Sequence, residues 1–124
     1  MNKSAAVVAI ALAFTTYAQA ESKKSWDSTF RLLKGEYLIY GGTLGEAQQP
    51  TGNDRKVSLK VTGQVAKDMF DSMYPDEKVT CTDVEGYRER RKGEVFCTYD
   101  RQDGYACYFG FDLRTGRSIG GASC

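Results

Sequence analysis

Four cysteines and a short basic run are the chemically conspicuous side chains of this 124-residue sequence, which contains no histidine. The missing histidine removes the commonest general base, and with it the Ser-His-Asp and Cys-His routes to an activated nucleophile. Cys81, Cys97, Cys107 and Cys124 show neither the Cys-x-x-Cys spacing nor the histidine partners of a zinc site. Spaced aspartates of a calcium loop are absent as well. Gly41-Gly42-Thr43-Leu44-Gly45 lacks the lysine and following helix of a phosphate cradle. The sequence therefore predicts no metal and no cofactor. Two minor catalytic arrangements remain. Ser58 and Lys60 share one face of an alternating segment, and Asp68, Asp71, Asp76, Glu77 and Asp83 supply carboxylates. Both patterns also arise in any polar strand face or solvated helix.

Two candidate binding surfaces stand out. In Tyr87-Arg88-Glu89-Arg90-Arg91-Lys92, strand geometry sends Arg88 and Arg90 one way and Tyr87, Glu89 and Arg91 the other. Arg88, Arg90, Arg91 and Lys92 thus offer a positive patch for an acidic protein, a phosphate group or an anionic polymer. The plainer reading is a soluble hairpin whose charge discourages edge-to-edge pairing. The second surface is the glycine-rich loop 41–54 with Tyr37 and Tyr40 beside it. Long loops on rigid scaffolds often carry recognition, and tyrosine is a frequent interface anchor.

The ends of the sequence frame these candidates. Lys3, the apolar run from Ala5 to Phe14, and Ala18-Gln19-Ala20 read as a secretory leader cleaved after Ala20. That apolar run is about half the roughly 20 residues a membrane span needs. No cysteine precedes Cys81, so residues 21–124 are expected to leave the cytoplasm as one anchor-free domain, periplasmic or secreted. Lys3 is the one charged residue in the leader, so the formal +1 of the whole chain falls to neutrality. A neutral balance argues against general nucleic-acid binding. In an exported domain an even cysteine count reads as two disulfides. Spacing favours Cys81–Cys97 with Cys107–Cys124, each closing a loop worth roughly 3 kcal/mol.

The elements that must position these residues follow from periodicity. Residues 27–34 suggest a short helix stopped by Gly35, and 36–40 and 55–61 are strands facing each other across the loop. Residues 63–74 form the main amphipathic helix, with Thr62 as its cap and Val65, Ala66, Met69, Phe70 and Met73 on one face. Strands are expected at 78–83, 86–91, 94–100, 105–113 and 117–123, with Lys92-Gly93, Asp103-Gly104 and Thr115-Gly116 as the tight-turn candidates between them. A two-residue turn at Thr115-Gly116 sets Arg114 opposite Arg117 and Cys107 opposite Cys124. The expected architecture is α+β: a mostly antiparallel sheet, two helices packed on one face, and two disulfides. By elimination, the function expected is non-catalytic binding in the envelope or outside the cell. Its most concrete form is an inhibitor or immunity-type protein neutralising an envelope-active enzyme or toxin. A small-ligand or polyanion binder using the arginine run is the alternative, and a minor hydrolase ranks last.

Overall fold

The computed structural model describes residues 26–124; the leader and its cleavage site lie outside the described residues. The chain divides into two units, residues 1–30 and 31–124, and the second carries the fold. Its strands are β1 (Lys34–Gly42), β2 (Ala47–Gln48), β3 (Lys56–Thr62), β4 (Arg88–Lys92), β5 (Val95–Asp100), β6 (Gly104–Asp112) and β7 (Ser118–Ile119). They form one antiparallel sheet in the order β2-β1-β3-β6-β5-β4, with β7 paired to β6. Among the described residues a single helix forms, α1 (Gln64–Asp71), which connects β3 to the second half of the chain.

The expected pairing of 36–40 with 55–61 is present, with Tyr37 opposite Leu59 and Ile39 opposite Val57. β1 opens at Lys34, the last position of the segment 27–34 that the sequence assigns to a short helix. The main helix lies where periodicity puts it. Ala66 and Phe70 are fully buried, Met73 follows them inward, and Val65 and Met69 pack at the margin. Thr62 does not cap this helix, because it stays in β3 opposite Ala106; Gly63 makes the turn, its carbonyl accepting the Lys67 N–H at 3.0 Å. Gln64 to Asp68 and Lys67 to Asp71 pair along the wet side.

Cross-strand register divides the sheet into two faces. Arg90, Cys97, Cys107 and Val61 lie in one row on the face that α1 covers. Arg91, Phe96, Tyr108, Lys60 and Glu36 lie in the next row, on the opposite face. Phe70 meets Tyr105 edge-on at 5.3 Å, and Tyr105 meets Tyr99 at 4.7 Å, which closes the core beneath the helix.

The turns overturn the expected cysteine pairing. Between β5 and β6 the loop is three residues long, Asp100 facing Gly104. Gly104 takes the positive φ of 75° that ends such loops, and the Asp100 carboxylate accepts the Gln102 and Asp103 N–H groups. That register sets Cys97 directly opposite Cys107, and the two are bonded with their Cα atoms 4.0 Å apart. After β6 the turn holds four residues rather than two. Asp112 bonds Arg117 and Gly116 through its backbone and Arg114 through its side chain. Phe111 therefore faces Ser118, and the expected strand 117–123 is reduced to Ser118–Ile119. Freed from β6, the tail reaches Cys81, and Cys81–Cys124 is the second bridge. The turn before β5 is Gly93-Glu94, one residue later than expected, with Lys92 opposite Val95. No strand forms at 78–83.

Candidate functional site

Arg88 and Arg90 project from β4 onto the helix-covered face, where both meet Asp76. Arg88 donates to both Asp76 oxygens, at 2.7 and 3.0 Å, and Arg90 donates to Oδ1 at 2.7 Å. A further Arg90 N–H reaches the Phe70 carbonyl at 2.7 Å, and the guanidinium lies 4.3 Å from the Phe70 ring centre. This carbonyl, in the last turn of α1, also accepts the Met73 N–H at 3.1 Å, so Arg90 adds a charged donor from the sheet to a helix end already closed by its own backbone. Hydrogen bonding from Arg88, then from Arg90, holds the Asp76 carboxyl at about 2 against the opposing pull of burial. Arg90 is only 9% exposed at its side chain. The arginine run is thus split: Arg88 and Arg90 tie helix, loop and strand together, whereas Arg91 and Lys92 are exposed. Arg91 lies over the Phe96 ring on the opposite face.

The two tyrosines are likewise separated by strand alternation. Tyr37 is 73% exposed on the helix-bearing side of the sheet, whereas Tyr40 is 3% exposed on the other. Burial raises the Tyr40 phenol pKa. Loop 41–54 is a built structure rather than a free one. Lys56 pairs with the Asp54 carboxylate and donates to the Gly42 carbonyl, and Asp54 accepts the Gly42 N–H at 2.7 Å. That clasp folds the loop back as β2 along the end of β1.

Neither minor catalytic arrangement is assembled. The Ser58 hydroxyl is buried and donates to the Gly121 carbonyl at 2.6 Å, while Lys60 points into solvent. Asp68 and Asp71 bond along α1 and Asp76 holds the arginines. Cys81, Glu89 and Cys124 come within 4.8 Å of one another, but the two sulfurs are bonded to each other and offer no thiolate to a metal.

What the arrangement does provide is a concave opposite face crossed by the chain's tail. Ser58 anchors the tail from below, and Gly121 presses so close to β6 that an added Cβ would meet the Phe109 backbone at 2.4 Å. Glu89, 3% exposed, accepts the Cys81 N–H and the Tyr87 hydroxyl, so it fixes the bridge that ends the tail. Burial, reinforced by that bond to Glu89, pushes the Tyr87 phenol well above its ordinary pKa. Around the tail lie depressions of about 460 and 580 Å³, which share Leu44, Ala122 and Ser123 as their common rim. The larger has Phe96 and Tyr108 on its floor, their ring centres 6.0 Å apart. At Tyr87 and Asp100 it runs on into a third depression of about 430 Å³.

Sequence reasoning missed this groove because it placed residues 117–123 in the sheet. The signal available was Gly120-Gly121, a pair suited to close backbone approach, followed at once by a cysteine-bearing end. No protein-family model, curated protein or solved structure matches the chain.

Proposed function

We propose that this chain is a non-catalytic binding protein, of the inhibitor or immunity type, which neutralises an envelope-active enzyme or toxin. Its recognition surface is the groove on the sheet face opposite α1. The observation that carries this reading is the groove's rigid construction. Strand residues Phe96 and Tyr108 form its floor, and its tail wall is fixed by Cys81–Cys124, Glu89 and Ser58. A preformed concave surface with an aromatic floor loses little entropy on binding. The two disulfides fit a periplasmic or extracellular setting, and among the described residues no helix is long and apolar enough to cross a membrane. The polyanion alternative is weakened by the use of Arg88 and Arg90 inside the fold.

Affinity capture from envelope and secreted extracts tests the proposal. The expected result is one stoichiometric protein partner, lost when Ser123→Arg fills the rim of the groove without altering the melting temperature. Salt-sensitive capture of polymer in place of a protein, or capture unaffected by Ser123→Arg, would count against it.

A further inference from the structure

The outer edge of β1 lacks the protection that the opposite sheet edge has. At that other edge, β4 carries four cationic residues, and its Glu89 carbonyl is taken by the Glu77 N–H at 2.8 Å. Charges and covered backbone are the usual devices against strand addition. On β1, by contrast, β2 pairs only at Gly41 and Gly42, so, among the described residues, positions 34–40 are bonded to β3 alone. Alternate N–H and C=O groups along that stretch point outward. Large apolar side chains are exposed there beside the charged Lys34 and Glu36: Leu32 fully, Leu33 at 61%, Tyr37 at 73% and Leu38 at 47%. Inward of Tyr37, the partly exposed row continues through Leu59 to Phe109, which packs against the core.

We propose that this edge pairs with the same edge of a second copy, antiparallel and centred on Gly35, to give a two-fold dimer with one continuous sheet. The sequence Arg31-Leu32-Leu33-Lys34-Gly35-Glu36-Tyr37-Leu38-Ile39 is self-complementary about that centre. Lys34 falls opposite Glu36 of the second copy, and Glu36 opposite its Lys34. Leu33 meets Tyr37, and Leu32 meets Leu38, each contact occurring twice. Among the described residues Lys34 and Glu36 have no ion-pair partner within the chain. A formal charge of +1 leaves little net repulsion between copies. The pairing leaves the groove on the opposite face of the β3–β6–β5 region open in both copies.

Sedimentation equilibrium of the disulfide-bonded protein, as it accumulates in an expressing cell, tests this pairing. The wild type should shift from monomer to dimer as concentration rises to about 200 µM. Glu36→Lys and Lys34→Glu each place like charges opposite one another twice, and each should weaken the dimer roughly tenfold or more. An equimolar mixture of the two variants restores both ion pairs and should recover a dimer that neither forms alone. Leu38→Lys gives an independent loss through the apolar contact, and an unchanged melting temperature shows that each variant is folded. A wild type that remains monomeric, single reversals that dimerise as the wild type does, or a mixture that fails to recover would each overturn the proposal.

Discussion

The two faces of the sheet each carry a disulfide and each bury a charged group, yet they use them differently. On the helix-bearing face, Cys97–Cys107 lies within the core, and Arg90 with Asp76 binds α1, the following loop and β4 together. Arg88, Arg90 and Asp76 there bond to one another and to α1 within the fold. On the opposite face, Cys81–Cys124 and Glu89 hold a single strand of tail in place, and concave surface remains on either side of it. Charge and covalent bonding on the first face stabilise the domain; on the second they shape a surface. Buried charge alone therefore does not reveal a functional site in this molecule.

Mutations should break this contrast in a graded way. Arg90→Ala removes two charge-assisted bonds, to Asp76 and to the Phe70 carbonyl, together with the guanidinium packed on the Phe70 ring, and it should cost about 3–5 kcal/mol in urea denaturation. Removing the bridges as alanine pairs separates the faces further. The loop closed by Cys81–Cys124 spans 43 residues and that closed by Cys97–Cys107 spans 10. Chain entropy then predicts losses of roughly 4 and 3 kcal/mol respectively. Hydrogen exchange should show the first loss concentrated in the tail and in residues 77–82, and the second spread through α1 and β5.

A smaller effect is expected from pH. Asp76 has a depressed pKa in the fold, so its contribution is fully present above the ordinary carboxylate value of 3.8 and is lost as pH falls through about 2. Its side chain is 39% exposed, so solvent moderates the contribution. Denaturation series between pH 5 and pH 2 should show a stability slope that Asp76→Asn flattens; equal slopes in the two proteins would remove Asp76 from the account.

Most of the sheet and the helix were readable from periodicity, because Val57-Ser58-Leu59-Lys60-Val61 alternates and Val65 to Met73 repeats at helical spacing. Turn length was the quantity that periodicity could not supply. Asp103-Gly104 and Thr115-Gly116 are good turn residues whether the loop holds two, three or four positions. Each added residue moves the register, and with it the residue opposite Cys107. The candidate site suffered most from this. Arg88 and Arg90 share a face as strand alternation requires, but Asp76 is distant in sequence and nothing local marks it as their partner. Tyr40 reads as an interface residue by type, although its row is closed by Lys56 and the returning loop.

The central claim is that the groove beside the tail, and not the basic hairpin, contacts the partner. Titration calorimetry with the captured partner tests it, comparing Ser123→Arg with the double reversal Arg91→Glu/Lys92→Glu. Exposed positions of this kind usually change stability by less than about 0.5 kcal/mol, so both proteins should melt as the wild type does. The account predicts that Ser123→Arg weakens binding by about 2 kcal/mol or more, the scale of an interface hot spot, while the double reversal leaves affinity essentially unchanged. Full affinity in Ser123→Arg together with loss of binding in the double reversal would contradict it and return the site to the hairpin.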